Sequence, residues 1–192
     1  MEKTNLITLW TRQDLRSLAY IEKEGRYRVK KKYIEEQFDD ISKHYLGAYK
    51  WLVERASKIV PKPEGVNYMI WCSISDKNML RPIEGTVVYK LKVPEDEIVY
   101  LDGAKWDYVL NHIYIPKDEE DEKRYKEEMK VKGLNNTFSL VEGEYAHFYP
   151  EERKKIIDSW ERVFQIDDWN IFSTQANIWE IRKDMIIEME SF

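Results

Sequence analysis

The stretch Leu6-Ile7-Thr8-Leu9-Trp10-Thr11-Arg12-Gln13 governs the interpretation of the whole chain. Its first five residues are apolar or β-branched and predict a strand over residues 6–10. Polar residues follow at once, and Thr11 with Asp14 three positions later matches a helix capping box. An indole, a hydroxyl, a guanidinium and an amide at a strand end, beside a helix N-terminus, are typical of a site for an anionic ligand. A capped helix with Trp10 packed beneath it explains the same residues without a ligand.

Length and composition indicate an ordinary globular domain. The chain has 192 residues, of which 43% are hydrophobic and 35% are charged. Seven Trp, thirteen Tyr and six Phe provide more buryable surface than a disordered chain contains. We therefore expect a single domain over residues 1–192, with a heavily charged exterior.

The net charge and the cysteine content limit which classes of partner and which cellular compartments suit the chain. The net charge of −5 and the isoelectric point near 5.4 argue against a nucleic-acid-binding surface. Cys72 is the single cysteine, which is typical of a reducing compartment. The amino terminus lacks the apolar run of a signal peptide, and no stretch reaches the roughly 18 apolar residues of a membrane span. These features predict a cytoplasmic protein that does not associate with membranes.

Hydrophobic periodicity predicts an α+β fold. Apolar residues recur every three or four positions from Ile34 to Val60 and predict one long helix, which Pro61 ends. Gly25 predicts the end of an earlier helix. We expect a mixed or mostly antiparallel sheet with the long helix packed on one face. The other predicted strands are residues 68–74, 86–93, 98–101 and 175–181, and the other predicted helices are residues 106–113 and one that begins at Pro150.

Residues 117–137 differ in composition from the rest of the chain. Acidic and basic residues alternate here, and Glu119 with Lys123 and Glu122 with Lys126 have the spacing of helical ion pairs. This segment is predicted to be a charged, exposed helix or insertion.

The sequence argues against several common kinds of metal, catalytic and nucleotide-binding site. His44, His112 and His147 are the only histidines, and their spacing does not match a zinc site, so no metal site is predicted. Cys72 lies in the middle of a predicted strand, which favours an inert buried thiol over a nucleophile. The chain contains no GxSxG, P-loop or GxGxxG motif.

Two further clusters have polar residues in places that suggest binding. The basic stretch from Arg26 to Lys32 contains Tyr27 and Arg28, which suits phosphate binding with an aromatic stacking partner. An edge strand protected by lysines explains the same stretch. The predicted last strand begins at Ser173-Thr174-Gln175 and contains Asn177 and Glu180 among apolar neighbours. This strand either places a polar group in a cleft or directs Glu180 to solvent.

The order of several short motifs resembles an uncharacterised bacterial family known only as a domain of unknown function. The resemblance spans nearly the whole chain and implies no particular activity. The motifs are Leu9-Trp10-Thr11-x-Gln13, Ala48-Tyr49-x-Trp51, Tyr68-x-Ile70-Trp71, Val93-Pro94-x-Asp96-x-Ile98, Trp106-x-x-Val109-Leu110-Asn111 and Gln175-Ala176-x-x-Trp179-Glu180-Ile181.

The first strand, the following helix and Gly25 also resemble the ADP-ribosyltransferase superfamily more distantly. In that superfamily the first motif cradles the nicotinamide ribose and diphosphate, a middle strand contacts the nicotinamide, and the last strand begins with a Glu or Gln. The resemblance assigns these roles by position to Thr11 or Arg12, to Ser73 and to Gln175. The chain departs from the superfamily because it has no Ser-Thr-Ser triplet and no Glu-x-Glu pair.

The resemblance implies an ADP-ribosyltransferase-like domain that binds NAD, or a related nucleotide, as a substrate and requires no cofactor. In this interpretation Arg12 and the basic stretch with Arg28 hold the diphosphate, and Tyr27 or Trp71 stacks on a ring. Gln175 or Glu180 orients a ribose hydroxyl. The alternative is a non-enzymatic protein-interaction module, favoured by the many aromatic residues and by the charged segment 117–132. An RNA-binding domain that uses Arg26–Lys32 is disfavoured by the acidic total.

Overall fold

The computed structural model describes residues 5–38, 42–143 and 145–191. The chain forms two compact units, of which the first comprises Met1–Leu101 with Asp168–Phe192 and the second comprises Asp102–Asp167. Among the described residues, no helix combines the length and the apolar character needed to cross a membrane.

Within its described residues, the first unit contains an antiparallel six-stranded sheet and three α-helices, which confirms the predicted α+β fold. The sheet order is β5-β6-β3-β1-β4-β8, and β2 pairs with β7 in a separate two-stranded ribbon. The elements are β1 (Leu6–Asp14), α1 (Ser17–Glu24), β2 (Arg26–Tyr27), α2 (Lys31–Phe38), α3 (Ser42–Ala56), β3 (Ile70–Ser73), β4 (Thr86–Pro94), β5 (Val99–Asp102), β6 (Thr174–Ile178), β7 (Ile181–Arg182) and β8 (Ile186–Ser191).

Strand β1 lies in the interior of the sheet and is longer than predicted. It pairs with β4 along its whole length, from Leu6 opposite Pro94 to Asp14 opposite Thr86. The predicted capping box at Thr11 is therefore wrong, because the backbone there is engaged in strand pairing. Helix α1 begins only at Ser17 and ends, as predicted, at Gly25, whose φ of 70° is left-handed.

The two faces of the sheet carry different residues because strand side chains alternate. One face, the core face, packs into the main hydrophobic cluster and includes Leu9, Cys72, Tyr89 and Ala176. Trp10 and every second residue of β1 counted from it lie on the other face, which we call the outer face.

The described residues of the predicted helix over residues 34–60 lie mainly in two helical segments, α2 and α3. Helix α2 ends at Phe38 and α3 begins at Ser42, and residues 39–41 lie outside the described part of the chain. Helix α3 ends at Ala56, where the amide of Val60 donates to the Ala56 carbonyl in a closing turn before Pro61. The ring of Tyr49 contacts the ring of Trp71 at 6.4 Å, which locates α3 over the outer face at β3.

The predicted last strand is interrupted, and one strand was not predicted. Residues 174–178 pair with β3, whereas Ile181 and Arg182 leave that sheet and pair with Tyr27 and Arg26. Strand β8 adds to the far edge of β4. The remaining predicted strands agree with β3, β4 and β5 to within two residues at each end.

The second unit is helical. It contains α4 (Gly103–Leu110), α5 (Glu119–Val131), α6 (Phe138–Glu142) and α7 (Pro150–Ser159). The carboxylate of Asp102 caps α4 by accepting from the Ala104 amide at 2.9 Å. The charged segment forms α5, in which the predicted pair of Glu122 and Lys126 is present at 2.5 Å.

Candidate functional site

Three predicted site residues lie side by side on neighbouring strands. Trp10 of β1 is directly paired with Ser73 of β3, and Ser73 is directly paired with Gln175 of β6. Residues that are directly opposite in a sheet project from the same face, with Cα atoms about 4.5–5.5 Å apart. Trp10, Ser73 and Gln175 therefore form a continuous row on the outer face, which we call the strand row. All three side chains are partly exposed.

Arg12 extends the strand row along β1. It lies two residues beyond Trp10 and therefore on the same face. Its Nη1 donates to the carbonyl oxygen of Arg81 at 2.7 Å, which ties the loop of residues 74–85 to β1. A guanidinium has five N–H donors, and within the described residues this bond uses one of them, which leaves the others for an anion.

Two loops adjoin the strand row and are joined to each other. The hydroxyl of Ser73 donates to the carbonyl of Asn78 at 3.0 Å, and the side-chain amide of Asn78 donates to the carbonyl of Phe172 at 3.3 Å. The Asn170 side chain accepts from the amides of Phe172 and Ser173 at 2.9 and 3.0 Å. These bonds fix the conformation of the chain that leads into Gln175.

Thr11 and Gln13 lie on the core face rather than in the strand row. The hydroxyl of Thr11 donates to the carbonyl of Trp71 at 2.7 Å and accepts from the Gln13 amide at 2.8 Å. These side chains stabilise the contact between β1 and β3. The opening run is therefore divided between the two faces of the sheet.

The two aromatic candidates for stacking also separate. Tyr27 is 2% exposed within the hydrophobic cluster of the core face, and burial raises the pKa of its hydroxyl. Trp71 is only partly buried and lies on the outer face, two residues before Ser73 and opposite Asn177. Of the two, Trp71 is the residue that the structure brings next to the strand row.

Arg28 and Glu180 bind each other and are not part of the strand row. The Nε of Arg28 donates to Glu180 at 2.7 Å, and Nη1 of Arg26 donates to the same carboxylate at 3.3 Å. A second nitrogen of Arg28 donates to the Glu64 carbonyl at 3.0 Å. Glu180 is nearly buried, so these guanidinium groups compensate its charge and hold the β2–β7 ribbon to the chain that follows β6.

Asn177, a polar residue of the predicted last strand, also lies in this region. It lies on the outer face, two residues beyond Gln175 and opposite Trp71. Its side chain is completely buried, and neither its amide nitrogen nor its oxygen has a hydrogen-bond partner among the described residues. The nearest residue to Gln175 along this face of β6 is therefore an uncharged amide.

Cys72 has the properties expected of an inert thiol. It lies on the core face with 2% exposure, and burial raises its pKa to about 12. A thiol with this pKa is almost entirely protonated at neutral pH and is a poor nucleophile. The expectation that the chain holds no metal remains a prediction.

The structure is that of an α+β protein in which Trp10, Ser73 and Gln175 lie in a row on one face of an antiparallel sheet. Residues 8–187 match the family described as "Domain of unknown function (DUF3841)". The chain belongs to this family, which confirms the predicted membership of an uncharacterised family. Comparison with curated proteins and with solved structures gave no match.

Proposed function

We propose that the chain is an ADP-ribosyltransferase-like domain that binds NAD, or a related nucleotide, at the strand row. One observation carries this proposal: Trp10, Ser73 and Gln175 are consecutive across β1, β3 and β6 on one face, with Arg12 next to them. The resemblance assigns these strands to the nicotinamide ribose with its diphosphate, to the nicotinamide and to a ribose hydroxyl. The bacterial origin and the cytoplasmic location expected from the sequence belong to the same proposal.

The side chains have the chemistry that a dinucleotide requires. Arg12 supplies charge-assisted hydrogen bonds to the diphosphate. Trp10 and Trp71 offer aromatic surface for a nucleotide ring. The amide of Gln175 donates to and accepts from a ribose hydroxyl. Arg28 and Glu180 are occupied with each other and have no part in this arrangement.

Catalysis would need negative charge beside the sugar. Cleavage of the bond between nicotinamide and ribose develops positive charge on the sugar, which a nearby carboxylate stabilises. Asn177 follows Gln175 on the outer face and is uncharged, and the Glu180 carboxylate is bound by Arg26 and Arg28. We therefore propose nucleotide binding with slow release of nicotinamide.

Isothermal titration calorimetry of the purified protein with NAD and with ADP-ribose measures both affinities and tests the proposal. We expect Arg12→Ala to weaken binding of both ligands by about tenfold or more, because hydrogen bonds to charged groups contribute about 1.5–3 kcal/mol. Gln175→Ala is expected to weaken binding by about fivefold, as a neutral hydrogen bond contributes about 1 kcal/mol.

Two matched variants serve as controls. Lys92→Ala removes a cation from the outer face at β4. Lys92 is paired with Thr8 in the register of the two strands and not with Arg12. Gln165→Ala removes an exposed amide from the second unit. Neither is expected to change affinity. Absence of binding heat at millimolar NAD, or equal losses in the control variants, would contradict the proposal.

A further inference from the structure

The strand row continues beyond Trp10 onto β4 and β8. Trp10 is directly paired with Lys90 of β4, and Lys90 is directly paired with Glu188 of β8. Residues that are directly opposite in a sheet project from the same face, so Lys90 and Glu188 belong to the outer face. Each side chain in this longer row is at least partly exposed to solvent. We call it the extended row, and in order it contains Gln175, Ser73, Trp10, Lys90 and Glu188.

The extended row is long enough for both halves of a dinucleotide. Neighbouring strands lie about 4.7–4.9 Å apart, so four such steps separate the backbones at its two ends by about 19 Å. In the proposed function, the strand row and Arg12 hold the nicotinamide half and the diphosphate. Lys90 and Glu188 lie at the opposite end from Gln175, which is where the adenosine half extends.

An irregular register in β8 brings Glu188 to the outer face. Leu91 of β4 pairs with Ile186. The residue before Leu91 is Lys90, and it pairs with Glu188, so β8 advances by two residues where β4 advances by one. Without the extra residue, Ile187 would lie opposite Lys90, and Glu188 would project from the core face. Irregularities of this kind are over-represented next to active sites, where they redirect a side chain.

Lys90 and Glu188 form an exposed ion pair at the end of the extended row. The Lys90 Nζ lies 2.7 Å from the Glu188 carboxylate, and their side chains are 30% and 69% exposed. An ammonium group has three donors, so Lys90 is able to bind a phosphate oxygen while it keeps this contact. Arg12 is paired with Val88, two residues from Lys90 in β4, and is therefore a diagonal neighbour of Lys90. Diagonal neighbours are about 7–8 Å apart, which suits two cations that bind the two phosphates of a diphosphate.

The carboxylate of Glu188 distinguishes a hydroxyl group from a phosphate. An ionised carboxylate only accepts hydrogen bonds, so it binds a ribose hydroxyl and repels a phosphate monoester. Dinucleotide-binding domains of a different fold use an acidic residue in this way at the 2′-hydroxyl of NAD. Glu190 is the next residue of β8 on the outer face. One lysine and two glutamates give this end of the row a net charge of −1, which disfavours an additional phosphate.

We propose that Lys90 and Glu188 bind the adenosine half of the nucleotide and select NAD over NADP. Lys90 joins Arg12 at the diphosphate, and Glu188 accepts a hydrogen bond from the 2′-hydroxyl of the adenosine ribose. NADP has a phosphate on this hydroxyl, which removes the donor and places a negative charge beside the carboxylate. This selectivity rests on the proposed function, which assigns the nicotinamide half to the strand row.

Isothermal titration calorimetry with NAD and with NADP gives the selectivity as a ratio of two dissociation constants. We expect wild-type protein to bind NAD about threefold to fivefold more tightly, which is the scale of an interaction between exposed charges. Glu188→Gln keeps a hydrogen-bond acceptor but loses the charge, so this variant should bind NADP more tightly and discriminate little between the two ligands. Lys90→Gln should weaken binding of both ligands and increase the preference for NAD, because Glu188 then lacks its cation.

Glu151→Gln is the control, because it removes the charge of an exposed glutamate in the second unit and should leave the ratio unchanged. Thermal unfolding followed by circular dichroism shows that each variant is folded. A wild-type preference for NADP, an unchanged ratio in Glu188→Gln, or a lowered ratio in Lys90→Gln would each overturn the proposed selectivity. Any of these results leaves the strand row as a nucleotide site if Arg12→Ala still weakens NAD binding. Absence of binding by both ligands would overturn the proposed function and this selectivity together.

Discussion

The carboxylate of Glu180 shows how a charge can be buried for structural reasons. It lies between the guanidinium groups of Arg28, at 2.7 Å, and Arg26, at 3.3 Å. Both arginines retain some contact with solvent, which weakens each pair. Removal of the carboxylate would nevertheless leave two cations close together without their anion.

Glu180→Gln is therefore expected to destabilise the protein without weakening nucleotide binding. We expect a loss of about 1–3 kcal/mol in the free energy of unfolding, measured by urea denaturation. Glu188→Gln is the matched control, because Glu188 forms an exposed pair with Lys90 at 2.7 Å and should lose less than about 0.5 kcal/mol. If the Glu180→Gln protein folds but binds NAD much more weakly, Glu180 contributes to the nucleotide site and this prediction is wrong.

Cys72 is expected to resist modification in the native protein. Its thiol is 2% exposed and has a pKa of about 12, so few molecules present an accessible thiolate at pH 8. Reaction with a disulfide reagent should occur only as the chain unfolds. In about 6 M guanidinium chloride, which fully denatures a domain of this size, one thiol per chain should react. Stoichiometric labelling of the native protein within minutes would contradict the burial of this side chain.

For individual residues, the sequence indicates which side chains are candidates for a site but not the faces of the sheet on which they lie. Trp10, Thr11, Arg12 and Gln13 were grouped because a strand end and a capped helix would bring all four together. The strand instead continues to Asp14, and its alternation separates Trp10 and Arg12 from Thr11 and Gln13.

At the scale of elements, α5 shows how a highly charged helix is anchored. Asp121 is buried and accepts hydrogen bonds from the Lys117 amide at 2.9 Å and from the Tyr114 hydroxyl at 2.7 Å, and it contacts Arg124. The Lys117 amide is the main cause that lowers the pKa of this carboxyl group, and burial opposes it. The ionised form is therefore favoured in the folded protein.

The lowered pKa of Asp121 predicts a defined dependence of stability on pH. The contribution of this group is complete above the unfolded pKa near 4 and is lost as pH falls through the lower folded value. Asp121→Asn should cost about 1–3 kcal/mol at pH 7, and less as acid protonates the wild-type carboxylate. Urea denaturation at pH 7 and pH 3, followed by circular dichroism, measures both values. An equal difference between wild type and variant at the two pH values would contradict this role.

The elements differ in how well their sequence patterns predicted them. Strand β4 alternates cleanly and was predicted almost to the residue, because one of its faces is buried throughout. Strand β6 was predicted to continue to Ile181, yet the chain leaves the sheet after Ile178 to pair with β2. That choice depends on a partner more than 150 residues away, and local periodicity does not contain it. Strand β8 was missed for the related reason that an exposed edge strand has a weak apolar pattern.

At the scale of the whole molecule, the strand order creates the candidate site. Trp10, Ser73 and Gln175 are far apart in the chain and become neighbours only because β3 pairs with β1 on one side and with β6 on the other. The register is equally decisive, because a shift of one residue would direct a member of the row to the core face. The sequence could indicate the fold class, but a single chain does not reveal which strands pair or in which register.

The most direct test of the strand row is a titration with NAD followed by NMR on ¹⁵N-labelled protein. We expect the indole N–H of Trp10, the side-chain amide of Gln175 and the backbone amide of Ser73 to shift together and to saturate with one dissociation constant. The side-chain amide of Gln165 in the second unit should not move. Two results would contradict the assignment of the strand row as the nucleotide site. One is that only resonances of other groups shift at saturating NAD, and the other is that no resonance shifts.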